Sequence, residues 1–140
     1  MKTEERLLSS LFEGESDGGR LPSSKLTEAV IGCAFKVGNS LGNGFLEKVY
    51  ENALVHELRK SGLHVVQQRK IEVAYDGIIV GVYEADIIVN DCLIIEIKAV
   101  RALEDAHKAQ CLNYLKATGM KLGLLINFGC PKVEVKRVVL

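Results

Sequence analysis

The sequence predicts an α/β domain in the order α-α-β-β-β-α-β-β, with a mixed β-sheet flanked by helices. Three observations carry this. Two stretches near the start repeat apolar residues at helical spacing. Three segments rich in β-branched residues follow, the first two joined by Asp76-Gly77, a strong hairpin signal. A third helical stretch then separates these strands from two short apolar ones.

The elements follow in order. Residues 13–24, EGESDGGRLPSS, are rich in Gly, Ser and charge, which predicts a flexible leader over residues 1–23 and a domain over 24–140. Leu7, Leu8, Leu11 and Phe12 within the leader could dock as a short helix. Ser24 or Ser23 is an N-cap for a helix carrying Leu26, Ala29, Val30, Cys33, Ala34 and Val37, ended by Gly38 and Asn39. The segment GNSLGNG, Gly38 to Gly44, predicts a sharp turn. A second helix runs from Phe45 to Ser61, with Val49, Tyr50, Ala53, Leu54 and Leu58 as its apolar stripe and Gly62 as its cap. Val65–Tyr75 and Ile78–Val89 form the hairpin, bent near Gly81. Leu93–Val100 is near-continuously apolar, as suits a strand buried on both faces. A helix over Leu103–Thr118 ends at Gly119. Leu122–Phe128 is a short strand, and Val133–Val139 alternates apolar with charged residues like an edge strand.

Composition narrows the function classes. The chain has 140 residues, 48% hydrophobic and 26% charged, with zero formal net charge. That is one globular domain able to bury a core, and not a generally basic nucleic-acid binder. The final third is uneven: residues 99–140 hold seven Lys and Arg against three Asp and Glu. That surface could face phosphates or simply be solvated. No apolar run is long enough for a membrane span, and no long apolar segment marks a signal peptide. Cytoplasmic localisation is expected, with Cys33, Cys92, Cys111 and Cys130 as reduced thiols. His107 and Cys111 lie one helical turn apart, but two ligands do not make a zinc site.

The chemistry-bearing residues are Asp86, Glu96 and Lys98. Glu96 and Lys98 share one face of their strand, and Ile95 and Ile97 the other. Pairing Asp86 opposite Glu96 requires a three-residue loop, Asn90-Asp91-Cys92, and puts both carboxylates on one face. A two-residue loop would separate them. Two adjacent carboxylates repel, and one lysine does not balance them, whereas a divalent cation with oxygen ligands would. The plainer reading is a solvated ion pair of Glu96 with Lys98 beside Asp86. The apolar run LIIEIK favours a site, since an exposed face would alternate polar residues throughout.

Asp86, nine intervening residues, then Glu96-x-Lys98 resembles the D-(x)n-E-x-K motif of the PD-(D/E)xK nuclease superfamily. Gln110 and Tyr114 resemble the Q-x-x-x-Y element found in several of its branches. Gly44-x-x-Glu47 resembles the first-helix glutamate of its small GxxExxR family, although Tyr50 stands where that family's arginine would be and Ala85 replaces the proline of the superfamily label. The resemblance runs from about Leu26 to Arg137. It implies a restriction-endonuclease-like core, a Mg²⁺ or Mn²⁺ cofactor, and phosphodiester hydrolysis in DNA or RNA. It further implies Asp86 and Glu96 as metal ligands with the Ile97 carbonyl, Glu47 completing the metal site directly or through water, Lys98 as catalytic, Gln110 holding Lys98 or a phosphate, and Tyr114 supporting Gln110. From the residues alone, Glu47 could equally be a helix-surface charge, and Gln110 with Tyr114 a packing pair. The competing function is a catalytically silent nuclease-like module that binds nucleic acid or protein. Small size suggests a homodimer or a protein partner. His56, His64 and His107 have no catalytic partner in the pattern, and Asn127 could cap a strand end or line the site.

Overall fold

The computed structural model describes residues 23–140; the expected leader up to residue 22, with Leu7, Leu8, Leu11 and Phe12, lies outside the described residues. The elements are α1 (Ser23–Leu41), α2 (Glu47–Lys60), β1 (Val65–Tyr75), β2 (Ile78–Val89), β3 (Leu93–Lys98), α3 (Asp105–Thr118), β4 (Leu122–Asn127) and β5 (Glu134–Val139). One sheet takes the strands in the order β1-β2-β3-β4-β5. Only the β3–β4 pair is parallel. A parallel pair needs a crossover, and α3 supplies it.

Alternation along the strands sorts side chains onto two faces, with a change of phase in β2 between Ala85 and Ile87. Ile87, Val89, Leu93, Ile95, Ile97, Leu124 and Ile126 pack with α1 and α2 in the larger core cluster. Ala85, Ile88, Ile94, Leu125 and Val138 pack with Cys111, Tyr114 and Leu115 of α3 in the smaller one. Among the described residues, no helix is long and apolar enough to cross a membrane.

The first helix outruns its expected end. It continues through Gly38 and Asn39 to Leu41. Gly38 is small for packing: a Cβ there would lie 2.3 Å from Val133 Cγ2. The chain turns at Gly42 instead, where φ is +68° and the N–H donates to the Gly38 carbonyl at 2.8 Å.

The hairpins set the register. Asp76 and Gly77 both take positive φ, as a type I′ turn requires. The β1–β2 register slips between Val73 and Ala74, so Val80 is an extra residue beside Gly81, where the bend was expected. Between β2 and β3, Val89 pairs with Leu93, and Asn90 and Asp91 adopt the left-handed conformation that Asn and Asp tolerate. The loop is therefore the three-residue one, and Asp86 and Glu96 fall on the same face.

The far ends of β3 and β4 are locked together. The Phe128 N–H donates to the Lys98 carbonyl at 2.9 Å. Buried Asn127 accepts from the Val100 N–H at 3.0 Å and donates to the Val100 carbonyl at 2.9 Å, so it caps the strand ends. A Cβ on Gly129 would come within 2.3 Å of the Val100 backbone. The glycine allows the two loops to touch immediately after Lys98.

Candidate active site

The site forms where β2 parts from both neighbours. The β2–β3 ladder pairs Ile87 with Ile95, and no pairing continues to Asp86. The β1–β2 ladder passes from Gln67 to Arg69 without pairing Gln68. The Ile97 N–H, freed by this divergence, donates to Asp86 Oδ2 at 2.8 Å. That bond holds the Asp86 carboxylate beside Glu96.

Glu96 is 4% exposed, and its Oε1 is buried with no hydrogen-bond partner. Burial, then the Asp86 charge, pushes its pKa up to about 9, with Lys98 acting against the shift. At neutral pH the metal-free carboxyl therefore carries its proton. A buried polar atom without a partner is costly and rare in a native fold.

Lys98 Nζ donates to Gln110 Oε1 on α3 at 3.3 Å. Tyr114, one turn further along, is buried, and its pKa is raised by burial first and then by Glu96 and Asp86. Cys111 faces the same cluster; burial, with Glu96 adding, pushes its thiol up to about 12, which leaves it unreactive. The structure thus brings Asp86, Glu96, Lys98, Gln110 and Tyr114 together. Glu47 stands exposed at the start of α2. Among the described residues, no hydrogen bond or ion pair joins it to Asp86, Glu96 or Lys98.

A second carboxylate on α2, absent from the sequence reading, does connect. Glu51 is 3% exposed. It accepts from Gln67 at 2.7 Å, from Gln68 at 2.9 Å and from Lys48 at 3.1 Å. Adjacent strand residues normally point to opposite faces. Gln68 has φ +52°, and this left-handed kink brings its amide to the same carboxylate as Gln67. The Gln68 amide also lies 3.4 Å from Asp86 Oδ1, so Glu51 is linked to the β2–β3 pair through one side chain. Such backbone strain in mid-strand persists only where its surroundings over-determine it, and it concentrates at functional sites. One signal for Glu51 was legible: it shares the helical stripe of Tyr50, Leu54 and Leu58, where a charge is out of place. Tyr50, in the expected arginine position, is fully buried, stacks on Phe128 at 4.7 Å and donates to the Gly42 carbonyl at 2.6 Å.

His107 is a helix cap, accepting from the Glu104 N–H at 3.0 Å. None of the four cysteines forms a disulfide. Among the described residues, no group of three or more His, Cys, Asp or Glu is arranged to hold a metal.

The sequence profile of the PD-(D/E)XK nuclease superfamily matches residues 24–138. The chain belongs to that superfamily. Among solved structures, the crystal structure of SSO0001 aligns with TM-score 0.54 at 15% identity, covering 99% of this chain and 75% of that one. An alkaline exonuclease (LHK-Exo) from Laribacter hongkongensis aligns with TM-score 0.49 at 13% identity, covering 97% and 75%. No curated protein matches. In this PD-(D/E)XK chain the mixed sheet and its flanking helices are the restriction-endonuclease-like arrangement.

Proposed function

We propose that this chain is a divalent-metal-dependent nuclease that hydrolyses phosphodiester bonds in nucleic acid. One observation carries the reading: Glu96, buried beside Asp86 with an orphaned oxygen, next to Lys98. Two hard oxygen donors, one lacking any partner, fit Mg²⁺ or Mn²⁺. Such ions accept one or two carboxylates and complete their shell with carbonyls and water. Asp86 and Glu96 would hold the ion, with the Ile97 carbonyl beside them. The bound ion would activate water and offset charge on a phosphoryl oxygen.

The chain's own groups do the rest. Asp86 is held beside Glu96 by the Ile97 N–H on one oxygen and the Gln68 amide on the other. Lys98 offers its ammonium to negative charge developing on the phosphate. Gln110 orients Lys98, and Tyr114 backs Gln110. From α2, Glu51 is the carboxylate that reaches Asp86, through Gln68; Glu47, one turn earlier, would reach the ion only through water. Four cysteines with no disulfide among them fit a reducing cytoplasmic setting. The exposed apolar end of the β1–β2 ribbon supports contact with a protein partner or a second copy. Zero net charge favours the competing reading, a catalytically silent binding module.

Calorimetric titration with Mn²⁺ and cleavage assays on DNA and RNA decide between them. The nuclease reading expects wild type to bind and cut, and Asp86→Ala to lose both. A wild type that binds no divalent ion at millimolar concentration and cuts neither substrate leaves the binding module standing.

A further inference from the structure

The outer part of the β1–β2 ribbon and the exposed face of α3 enclose a cavity of about 790 Å³. Its position is the first clue. Gln110, the partner of Lys98, lines it, and so does Tyr114. It therefore borders the site through Gln110, whose side chain meets Lys98. Its chemistry is the second clue. Ala106, Ala109 and Ala117 make the α3 wall shallow, which is why a cleft remains. Opposite them stands Tyr83, 50% exposed, with its ring 5.7 Å from that of Tyr114. An aromatic ring with a face open to a cavity is a stacking platform for a base. Asn113 lines the same wall, and its amide offers both a donor and an acceptor to a base edge.

Charge fixes the direction of the ligand. Lys116 lies on the α3 rim and Glu72 on the ribbon rim. A phosphate backbone is drawn to the first and repelled by the second. It would run along α3, from Lys116 towards Gln110 and Lys98, roughly 9 Å of helix axis. That is the reach of one or two nucleotides.

We infer that this cavity is a base-binding subsite that takes one unstacked nucleotide beside the scissile phosphate, and that the substrate is single-stranded or locally unpaired. The inference rests on the nuclease reading for the phosphate next door. Paired bases in a duplex are stacked and must be extruded before they can enter such a pocket.

Binding without metal separates the two ideas. The probe is a short single strand containing 2-aminopurine, titrated in EDTA, against a blunt duplex of the same sequence. Wild type should quench the probe and bind the single strand more tightly than the duplex. Tyr83→Ala should weaken single-strand binding about tenfold and lose the quench, while Tyr83→Phe keeps both. Ala109→Phe, at an exposed helix position, fills the cavity without removing a contact and should also abolish the quench. Equal affinity for strand and duplex overturns the subsite, as does a quench unchanged in both Tyr83→Ala and Ala109→Phe. A dimer in sedimentation that Ala109→Phe dissolves would assign the cavity to a second copy and overturn it too. Tyr83-dependent binding with no cleavage in Mg²⁺ or Mn²⁺ upholds the subsite and sinks the nuclease reading. Cleavage that Tyr83→Ala leaves intact in both rate and affinity does the reverse.

Discussion

On the face covered by α1 and α2, β3 contributes Leu93, Ile95 and Ile97, each fully buried in an apolar cluster. On the face covered by α3, the same strand contributes Ile94, then Glu96, then Lys98. One six-residue strand thus anchors the core with its odd-numbered residues and supplies the site with its last two even-numbered ones. The period of two keeps these tasks separate. A dry, well-packed face holds the backbone still, and the other face can then keep an ionisable group in an environment that disfavours its charge.

The largest effects should appear in chemistry on the α3 face. Asp86→Ala is expected to abolish metal binding and cleavage together. Lys98→Ala should retain metal affinity, or even gain it, since a repelling cation is removed. Its turnover should still fall about 10²-fold or more in a steady-state assay. Equal turnover would remove Lys98 from the mechanism while leaving the carboxylates in it.

Stability should divide along the same line. Ile97→Ala opens a cavity in the dry face and should cost about 2–5 kcal/mol in urea denaturation. Glu96→Gln, one residue earlier, should instead stabilise the metal-free protein at pH 8 by about 1–3 kcal/mol. Between roughly pH 5 and 9 the Glu96 carboxyl is protonated in the folded chain and ionised in the unfolded one. Folding then takes up a proton, so raising pH opposes it, by at most about 1.4 kcal/mol per pH unit. Metal-free wild type should lose stability across that window relative to Glu96→Gln, and saturating Mg²⁺ should remove the difference. Parallel pH profiles for the two proteins would contradict the assignment.

The smallest contrast lies within α2. Glu51→Ala removes the acceptor that the Gln67 and Gln68 amides share, leaving them only Asn52 and Asp86, and should cost about 1–3 kcal/mol, with a fall in metal affinity. Glu47→Ala should change stability by no more than about 0.5 kcal/mol. If Glu47→Ala is the variant that weakens metal binding, the water-bridged role belongs to it.

These contrasts follow how the information is carried in the chain. Strand alternation with a three-residue loop puts Asp86 and Glu96 on one face, because both are local rules. Helical spacing put Gln110 and Tyr114 on one face for the same reason. Gln68 was illegible: nothing in VVQQRK signals a left-handed residue in mid-strand, since tertiary hydrogen bonds to Glu51 and Asp86 impose it. Gly38 misled because glycine reads as a helix end, whereas here a side chain from a distant loop needs the space. Tyr83 and the cavity escaped notice because they depend on how far α3 stands from the ribbon, which no local pattern encodes.

The outer half of the β1–β2 ribbon has one further consequence. β3 pairs with β2 only from Ile87 to Val89, so beyond Ala85 the two strands have no third partner. Two-stranded ribbons are marginal on their own, and Tyr75, Ile78, Ile79 and Val80 at the tip are largely exposed. Amides there should exchange with solvent through local opening, long before those of β3 and β4 exchange through global unfolding. The wall of the cavity that carries Tyr83 can therefore yield and re-form, on a foundation that stays shut.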